Sequence, residues 1–253
     1  MSKFSLSPIR VVFTEGGKGG VGKTEIAINL ATWYQRHGIS PRLIDFDAEN
    51  TDKSGLKSFI PDAVKLDLHE SGALDHFFEV CDTEDRVVLA DMGAGAGAAT
   101  YRWFERMFED SRELNMRFTA VGVTTNDPGA VLSILQWAKH LQRRVDYLVV
   151  LNETLESDQS FEYWHDNPLV KKFVDTFDPC VMQADVRIAE FQTELRNREL
   201  SLADVIERRT DSPYFQNTMQ IVRARRYQRT LYAGFDEAAD ILLPATDEEP
   251  SNA

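Results

Sequence analysis

Residues 14–24 of this 253-residue chain read Thr-Glu-Gly-Gly-Lys-Gly-Gly-Val-Gly-Lys-Thr, and residues of these types at this spacing could bind phosphate. From Gly17 the stretch matches G-x-x-x-x-G-K-S/T, with Lys23 and Thr24 at its end. Glycines let the backbone wrap closely around phosphate oxygens, because a Cβ would clash there. In this motif the lysine reaches the β- and γ-phosphates and the hydroxyl binds Mg²⁺. The pattern therefore predicts a nucleoside triphosphate site, formed by Gly17, Lys18, Gly19, Gly20, Val21, Gly22, Lys23 and Thr24.

The elements that must position this loop follow from the hydrophobic pattern. An apolar run precedes the loop and a helical pattern follows it, and along the chain strand-length apolar runs alternate with helical patterns. This alternation predicts an α/β fold, a P-loop NTPase with a mostly parallel, doubly wound sheet flanked by helices on both faces. Strands are predicted at 9–14, 41–46, 86–91, 117–124, 145–151 and 179–183. Helices are predicted at 22–37, 72–80, 98–110, 128–143, 159–176, 187–208 and most of 213–243.

Acidic side chains stand where two of the predicted strands end. Asp45 and Asp47 close the second strand, and residues two apart on an extended chain point the same way. Asp91 closes the third strand. Because ligands of open parallel sheets bind beyond the carboxyl ends of the strands, these carboxylates should face the phosphates, where Asp91 would support Mg²⁺. A plain polar turn residue at a strand end is the alternative for each of them.

Lys18 gives the loop a second lysine, which phosphate binding does not require. The stretch K-G-G-V-G-K-T resembles the deviant Walker A box of the ParA/MinD superfamily, and the segments at Asp45–Asp47 and Asp91–Gly95 resemble its two switch regions. The resemblance implies a homodimer that forms on binding ATP and Mg²⁺, with Lys18 contacting the nucleotide of the other subunit. It also implies that Asp47 orients the attacking water and that Asp45 and Thr24 help hold the magnesium.

Further along the chain, Asn152 follows the fifth predicted strand. The resemblance implies that it contacts the base, and an ordinary turn residue is the alternative. The stretch 185–190 looks like the segment that closes over adenine in relatives. The sequence has D-x-D-x-x-N after the second strand and no proline after Asp91, features more similar to the TraL-like proteins of conjugative transfer than to partition ATPases.

Three functions fit these residues. The first is an ATP-dependent dimerising switch with slow hydrolysis stimulated by an unidentified protein partner, acting in plasmid partition, conjugative transfer or positioning of a cellular cargo. The second is a nucleotide-gated binding module with negligible hydrolysis. The third is a small-molecule ligase of the dethiobiotin-synthetase type, whose turnover would need an acceptor and would not depend on Lys18.

The charge composition bears on nucleic-acid binding, because an acidic chain carries one local basic cluster. A net charge of −13 argues against a generally basic nucleic-acid binder. The basic cluster comprises Arg223, Arg225, Arg226 and Arg229. It is either a solvated helix face or a nonspecific DNA contact.

Other sequence features favour a single cytoplasmic domain. No apolar run approaches the roughly 20 residues that span a membrane, the N-terminus lacks the apolar core of a secretory signal, and Cys81 and Cys180 form no paired motif. We therefore expect reduced thiols, no membrane insertion and one domain over 1–245, followed by a disordered acidic tail at 246–253. The aromatic segment 161–165 is predicted to pack in the core, with an exposed partner surface as the alternative.

Overall fold

The computed structural model describes residues 8–46, 55–82, 86–93, 98–111, 114–152 and 161–244. Within these ranges seven strands form one sheet in which every neighbouring pair is parallel. The strands are β1 (Ile9–Glu15), β2 (Arg42–Asp45), β3 (Val64–Lys65), β4 (Val87–Asp91), β5 (Met116–Thr124), β6 (Asp146–Asn152) and β7 (Cys180–Ala184), in the order β3-β2-β4-β1-β5-β6-β7. The predicted fold class is confirmed.

Helices cover both faces of the sheet. The helices are α1 (Lys23–Arg36), α2 (Leu56–Phe59), α3 (Ala73–Cys81), α4 (Ala98–Asp110), α5 (Pro128–Leu141), α6 (Glu162–Asp166), α7 (Pro168–Phe177), α8 (Ala189–Asn197), α9 (Leu202–Ile206), α10 (Thr218–Glu237) and α11 (Ala239–Leu242). A short 3₁₀ helix, Gln142–Arg144, follows α5. Because helices cover both faces of the sheet, every residue of the central strand β1 is buried.

Alternate residues of β1 belong to two hydrophobic cores, one on each face of the sheet. Phe13 packs in the core that contains Phe104 of α4 and Trp137 of α5. The neighbouring Val12 packs in the core formed with Trp33 of α1, together with side chains of α8, α9, α10 and α11. Successive side chains of a strand point to opposite faces, and this periodicity fixes which helices lie on which side. The site at the end of β1 is therefore held between two packed layers.

Three of the predicted helices are each divided in two. The one over most of 213–243 breaks at Ala238, between α10 and α11. The other two breaks each contain a cap residue. The pattern over 159–176 breaks at Asn167-Pro168, where the Asn167 side chain accepts a hydrogen bond from the Leu169 N–H and begins α7. The pattern over 187–208 breaks before Ser201, which forms a capping box with Asp204 and begins α9. In both places a cap residue inside an apolar pattern starts a new helix. The short elements β3 and α2 were not predicted, because two and four residues carry too little periodicity.

The aromatic segment lies in the core, as predicted, since Phe161 and Trp164 are buried. Cys81 and Cys180 are free thiols, and burial raises the pKa of Cys81 to about 12. Over the residues described here, we find no helix that combines the length and the apolar character needed to cross a bilayer. The predicted tail, 246–253, lies outside the described residues.

Candidate nucleotide-binding site

The glycine loop leaves the central strand at Glu15 and enters α1 at Lys23. Gly20 and Gly22 have φ angles of 79° and 99°, in the left-handed region that glycine adopts without strain. Gly22 is the N-cap of α1, and no side chain caps that end of the helix. The first N–H groups of α1 therefore point at the loop without a side-chain acceptor from the cap, as an anion site at a helix N-terminus requires.

Lys23 lies inside this loop. Its side chain is buried, and its Nζ donates a hydrogen bond to the backbone oxygen of Lys18 at 3.1 Å. The ammonium group is thus held on the inner side of the loop, next to the uncapped end of α1. This position fits the predicted contact with the β- and γ-phosphates.

Lys18 points elsewhere. Its Nζ lies 2.7 Å from Asp127 Oδ2, and its side chain is 49% exposed. Asp127 is the N-cap of α5, where its Oδ1 accepts from the Ala130 N–H. The hydrogen bonds from Lys18 and Ala130 lower the pKa of Asp127, so that it stays ionised. The two lysines of the loop therefore differ in environment, one buried within it and one at its surface.

Asn152, at the end of β6, supports the loop in a way that the sequence did not predict. Its Nδ2 donates to the backbone oxygen of Val21 at 2.8 Å, and the side chain is buried. A Cβ at Gly22 would lie 2.3 Å from the same Nδ2, so the glycine is required for this close approach. Asn152 holds the loop shape here, and its contact with a base stays a prediction.

The predicted magnesium ligands converge at the ends of β2 and β4. Asp45 and Asp91 are register partners in these strands and both are 1% exposed. Thr14 Oγ1 donates to Asp91 Oδ1 at 2.6 Å, and burial raises the pKa of Asp91 to about 6 against the lowering effect of hydrogen bonds from Thr14 and Thr24. The charge of Asp45 also raises this pKa. Two buried carboxylates beside a threonine hydroxyl form an oxygen donor set that suits Mg²⁺.

Asp45 also contacts the beginning of α2. Its Oδ2 accepts from the Lys57 N–H at 2.9 Å, and a Cβ at Gly55 would come within 2.5 Å of that oxygen. Asp45 thereby fixes the start of α2. The intervening Asp47 lies outside the described residues, as does Gly95 of the second switch pattern, and the role of Asp47 stays a prediction.

Glu15 is a residue of this site that sequence reasoning missed. It is fully buried at the end of β1, and within the described part of the chain neither carboxyl oxygen has a hydrogen-bond partner. Burial raises its pKa well above the usual value, and the charge of Lys23 opposes that shift. In the sequence, the feature that could have indicated this residue is its position, a charged side chain between an apolar strand and the glycine loop.

The stretch 185–190 is attached to the first turn of α1. Arg187 is buried, pairs with Glu25 and donates to Gln192 Oε1 at 3.0 Å, while Gln192 Nε2 donates to Glu25 Oε2 at 2.6 Å. Burial lowers the pKa of Arg187 to about 10, and its guanidinium lies 5.7 Å from the ring centre of Tyr227. Glu25 directly follows Thr24, so this network places the stretch beside the phosphate loop.

Neutralising Asp91 should stabilise the metal-free fold. A carboxyl whose folded pKa is about 6, above its usual 3.8, adds stability when protonated and loses that contribution as pH rises through about 6. Asp91→Asn should therefore raise the free energy of unfolding by about 2 kcal/mol at pH 8 and by little at pH 4. Urea unfolding in chelator at both pH values checks this, and an equal effect at the two would contradict it. The same variant should lose Mg²⁺-dependent nucleotide binding.

Comparison with known proteins identifies the family and the fold of this chain. The family described as CobQ/CobB/MinD/ParA nucleotide binding domain matches residues 12–229. No curated protein matches the chain. Among solved structures, MinD cell division protein from Aquifex aeolicus superposes with a TM-score of 0.52 at 12% identity, covering 94% of this chain and 99% of that one.

Two further structures are similar at the level of the fold. The septum site-determining protein MinD from Pyrococcus horikoshii, in complex with Mg-ADP, has a TM-score of 0.52 at 14% identity and covers 93% of this chain and 99% of its own. An ATP complex of Cyanothece McdA has a TM-score of 0.51 at 11% identity, covering 95% and 100%. With the family match over most of its length, this chain belongs to the CobQ/CobB/MinD/ParA nucleotide-binding family, within the ParA/MinD superfamily of P-loop ATPases.

Proposed function

We propose that this protein is a molecular switch that dimerises on binding MgATP and resets by slow hydrolysis. Nucleotide binding itself is supported by the buried Lys23, the uncapped start of α1 and the acidic pair Asp45 and Asp91. The similar MinD and McdA structures hold Mg-ADP and ATP, and we extend ATP and Mg²⁺ to this chain. When bound, Mg²⁺ would neutralise charge on the phosphates, and Thr24, Asp45 and Asp91 would hold it.

The position of Lys18 carries the dimer proposal. A lysine that served only its own nucleotide would turn into the loop, as Lys23 does. Lys18 instead lies half exposed at the surface, where it pairs with an exposed carboxylate at the start of α5. An exposed ion pair of this kind contributes little free energy, so the ammonium can leave it for a phosphate of a second subunit at low cost. A small-molecule ligase would have no use for such a lysine.

Asp127 should act as a weak competitor for Lys18. Asp127→Asn removes the negative charge but keeps an oxygen that caps α5, since asparagine is also a good N-cap. We expect the variant to reach half-maximal dimer at an ATP concentration about two- to fivefold lower, because Lys18 is no longer held in its own subunit. Asp175→Asn, an exposed neutralisation on α7, is the matched control and should change nothing. A weaker response to ATP in Asp127→Asn would contradict this account.

Turnover should depend on protein concentration. If Lys18 completes the site of the other subunit, the ATP hydrolysis rate per chain rises with chain concentration until the dimer saturates.

Asp47→Asn should bind MgATP as tightly as wild type and hydrolyse it about 100-fold more slowly, because water positioning dominates phosphoryl transfer. A rate per chain that is independent of concentration but needs a small acceptor would instead identify a ligase. Negligible turnover with an intact ATP-dependent dimer would identify a nucleotide-gated module.

The cellular role follows from the partner. We propose a cargo in plasmid partition, conjugative transfer or cell positioning, recognised in the ATP-bound dimer, and the TraL-like branch as the nearest assignment. A partner that binds only one nucleotide state is the means by which such a switch acts.

A further inference from the structure

A cleft of about 380 Å³ lies between the end of α1 and the middle of α10, away from the glycine loop. Its lining includes Arg36, Arg225, Gln228, Arg229, Tyr232 and Asp236. Arg36 is the last residue of α1, whereas Lys23 is the first, and 14 helical residues extend about 20 Å. The cleft is therefore a separate feature from the nucleotide site.

The four arginines of the basic cluster have two different environments in the structure. Arg223 donates to Gln220 Oε1 at 3.0 Å, and Arg226 pairs with Asp185 at 3.3 Å and lies over the ring of Tyr227. Only Arg225 and Arg229 line the cleft, where Arg36 joins them from a helix nearly 200 residues earlier. Three guanidinium groups thus converge in a chain whose net charge is −13.

These three arginines form no ion pair with any residue that the structure describes, although four other arginines of the same layer do. Arg36 lies 5.7 Å from the ring centre of Tyr232. Within the cleft the acidic group is Asp236, whose Oδ1 accepts from Trp33 Nε1 at 2.8 Å and lies 3.4 Å from His37 Nε2.

Outside the lining, the charge of Glu207 acts on Tyr232 and raises its pKa. Glu207 is itself paired with Arg209 at 2.9 Å. Both nearby acids are therefore already engaged by other groups. The cleft keeps an excess of positive charge.

The ligand chemistry follows from these groups. Guanidinium forks bind phosphate oxygens through paired, charge-assisted hydrogen bonds, and the glutamine and tyrosine add polar and aromatic contacts. The volume is at the lower end of small-ligand sites. A long polyanion would meet the negative field of the whole chain, whereas a compact one stays within about one Debye length of the arginines. The cleft therefore favours a compact ligand over a nucleic acid duplex.

We propose that the cleft between α1 and α10 binds a compact polyphosphate group through Arg36, Arg225 and Arg229, as a second anion site distinct from the glycine loop. The site goes beyond the proposed switch and does not depend on it. Because α1 joins the two sites as one rigid helix, a ligand in the cleft contacts the same element that begins at the ATP phosphates.

The test uses inorganic tripolyphosphate without Mg²⁺, titrated into Lys23→Met protein by calorimetry so that the glycine loop is weakened. We expect saturable binding that falls by about tenfold or more in Arg225→Gln and, as a separate variant, in Arg229→Gln. The matched control is Arg226→Gln, which removes the same charge from the same helix outside the cleft and should change the affinity by less than about twofold. Circular dichroism confirms that each variant is folded, which is expected for the arginine substitutions because these three side chains are exposed.

Three results would overturn the proposal. The first is no binding of tripolyphosphate to the Lys23→Met protein. The second is an equal loss in Arg226→Gln, which would mean that general charge attracts the ligand. The third is binding of a short DNA duplex that depends on Arg225 and Arg229 and that tripolyphosphate does not displace, because the surface would then serve an extended polyanion.

Discussion

Protein carrying Lys23→Met should bind MgATP about 100-fold more weakly than wild type while keeping its fold. The Lys23 ammonium is buried inside the glycine loop, where it meets the phosphates without competition from water. Charge-assisted hydrogen bonds of this kind are worth about 1.5–3 kcal/mol each, and a γ-phosphate accepts more than one. Methionine retains a flexible apolar stem of similar length, which can occupy the buried position of the Lys23 side chain. Calorimetric titration with MgATP and with MgADP measures the effect.

The control for Lys23→Met lies in the same loop. Lys18→Met removes one charge of the same sign five residues earlier and should leave the affinity of the monomer for MgATP within about threefold. If the two variants weakened binding equally, the loop would be acting through its overall charge. If Lys23→Met bound ATP normally, the assignment of this loop as the nucleotide site would be wrong.

The Lys18→Ala variant should hydrolyse ATP about 100- to 1,000-fold more slowly than wild type although it still binds the nucleotide. Lys18 is half exposed and paired with Asp127 in the single chain, so its removal costs the monomer almost nothing. Its expected contribution arises only when the ammonium stabilises charge on a nucleotide held by the partner, as a positively charged group does in the transition state of phosphoryl transfer. Single-turnover hydrolysis, with the protein in excess over ATP and above its Kd, measures the effect.

Comparing the ATP affinity of Lys18→Ala with its hydrolysis rate separates a role of Lys18 in catalysis from a role in the loop structure. A variant that merely disturbed the loop would lose affinity as well, because Lys18 O accepts from Lys23 Nζ. Alanine keeps that backbone oxygen. Unchanged turnover in Lys18→Ala would favour the ligase interpretation.

The local parts of this site could be predicted from the sequence. The glycine loop, its lysines and Thr24 are contiguous, and their spacing alone defines the phosphate cradle. Asp45 and Asp91 could be placed because parallel strands bring their carboxyl ends to one edge, and the register confirms that the two are neighbours. The division of the sheet into two covered faces followed from the alternating elements.

Contacts between distant residues could not be predicted in this way. The bond from Asn152 to the Val21 carbonyl spans 131 positions, and no local pattern distinguishes it from a turn asparagine. Arg36 joins Arg225 and Arg229 only through the packing of α1 against α10, so the sequence suggested a cluster of four arginines on one helix instead. The unpaired carboxyl of Glu15 results from burial, which depends on the helices that cover β1.

Light-scattering mass with ATP, with ADP and without nucleotide tests the central claim most directly, for wild type and Lys18→Ala. The account predicts a shift from monomer to dimer with ATP alone, and its loss in Lys18→Ala although that variant still binds ATP. A wild-type mass that does not change when ATP is demonstrably bound, or an ATP-dependent dimer that survives in Lys18→Ala, would contradict it.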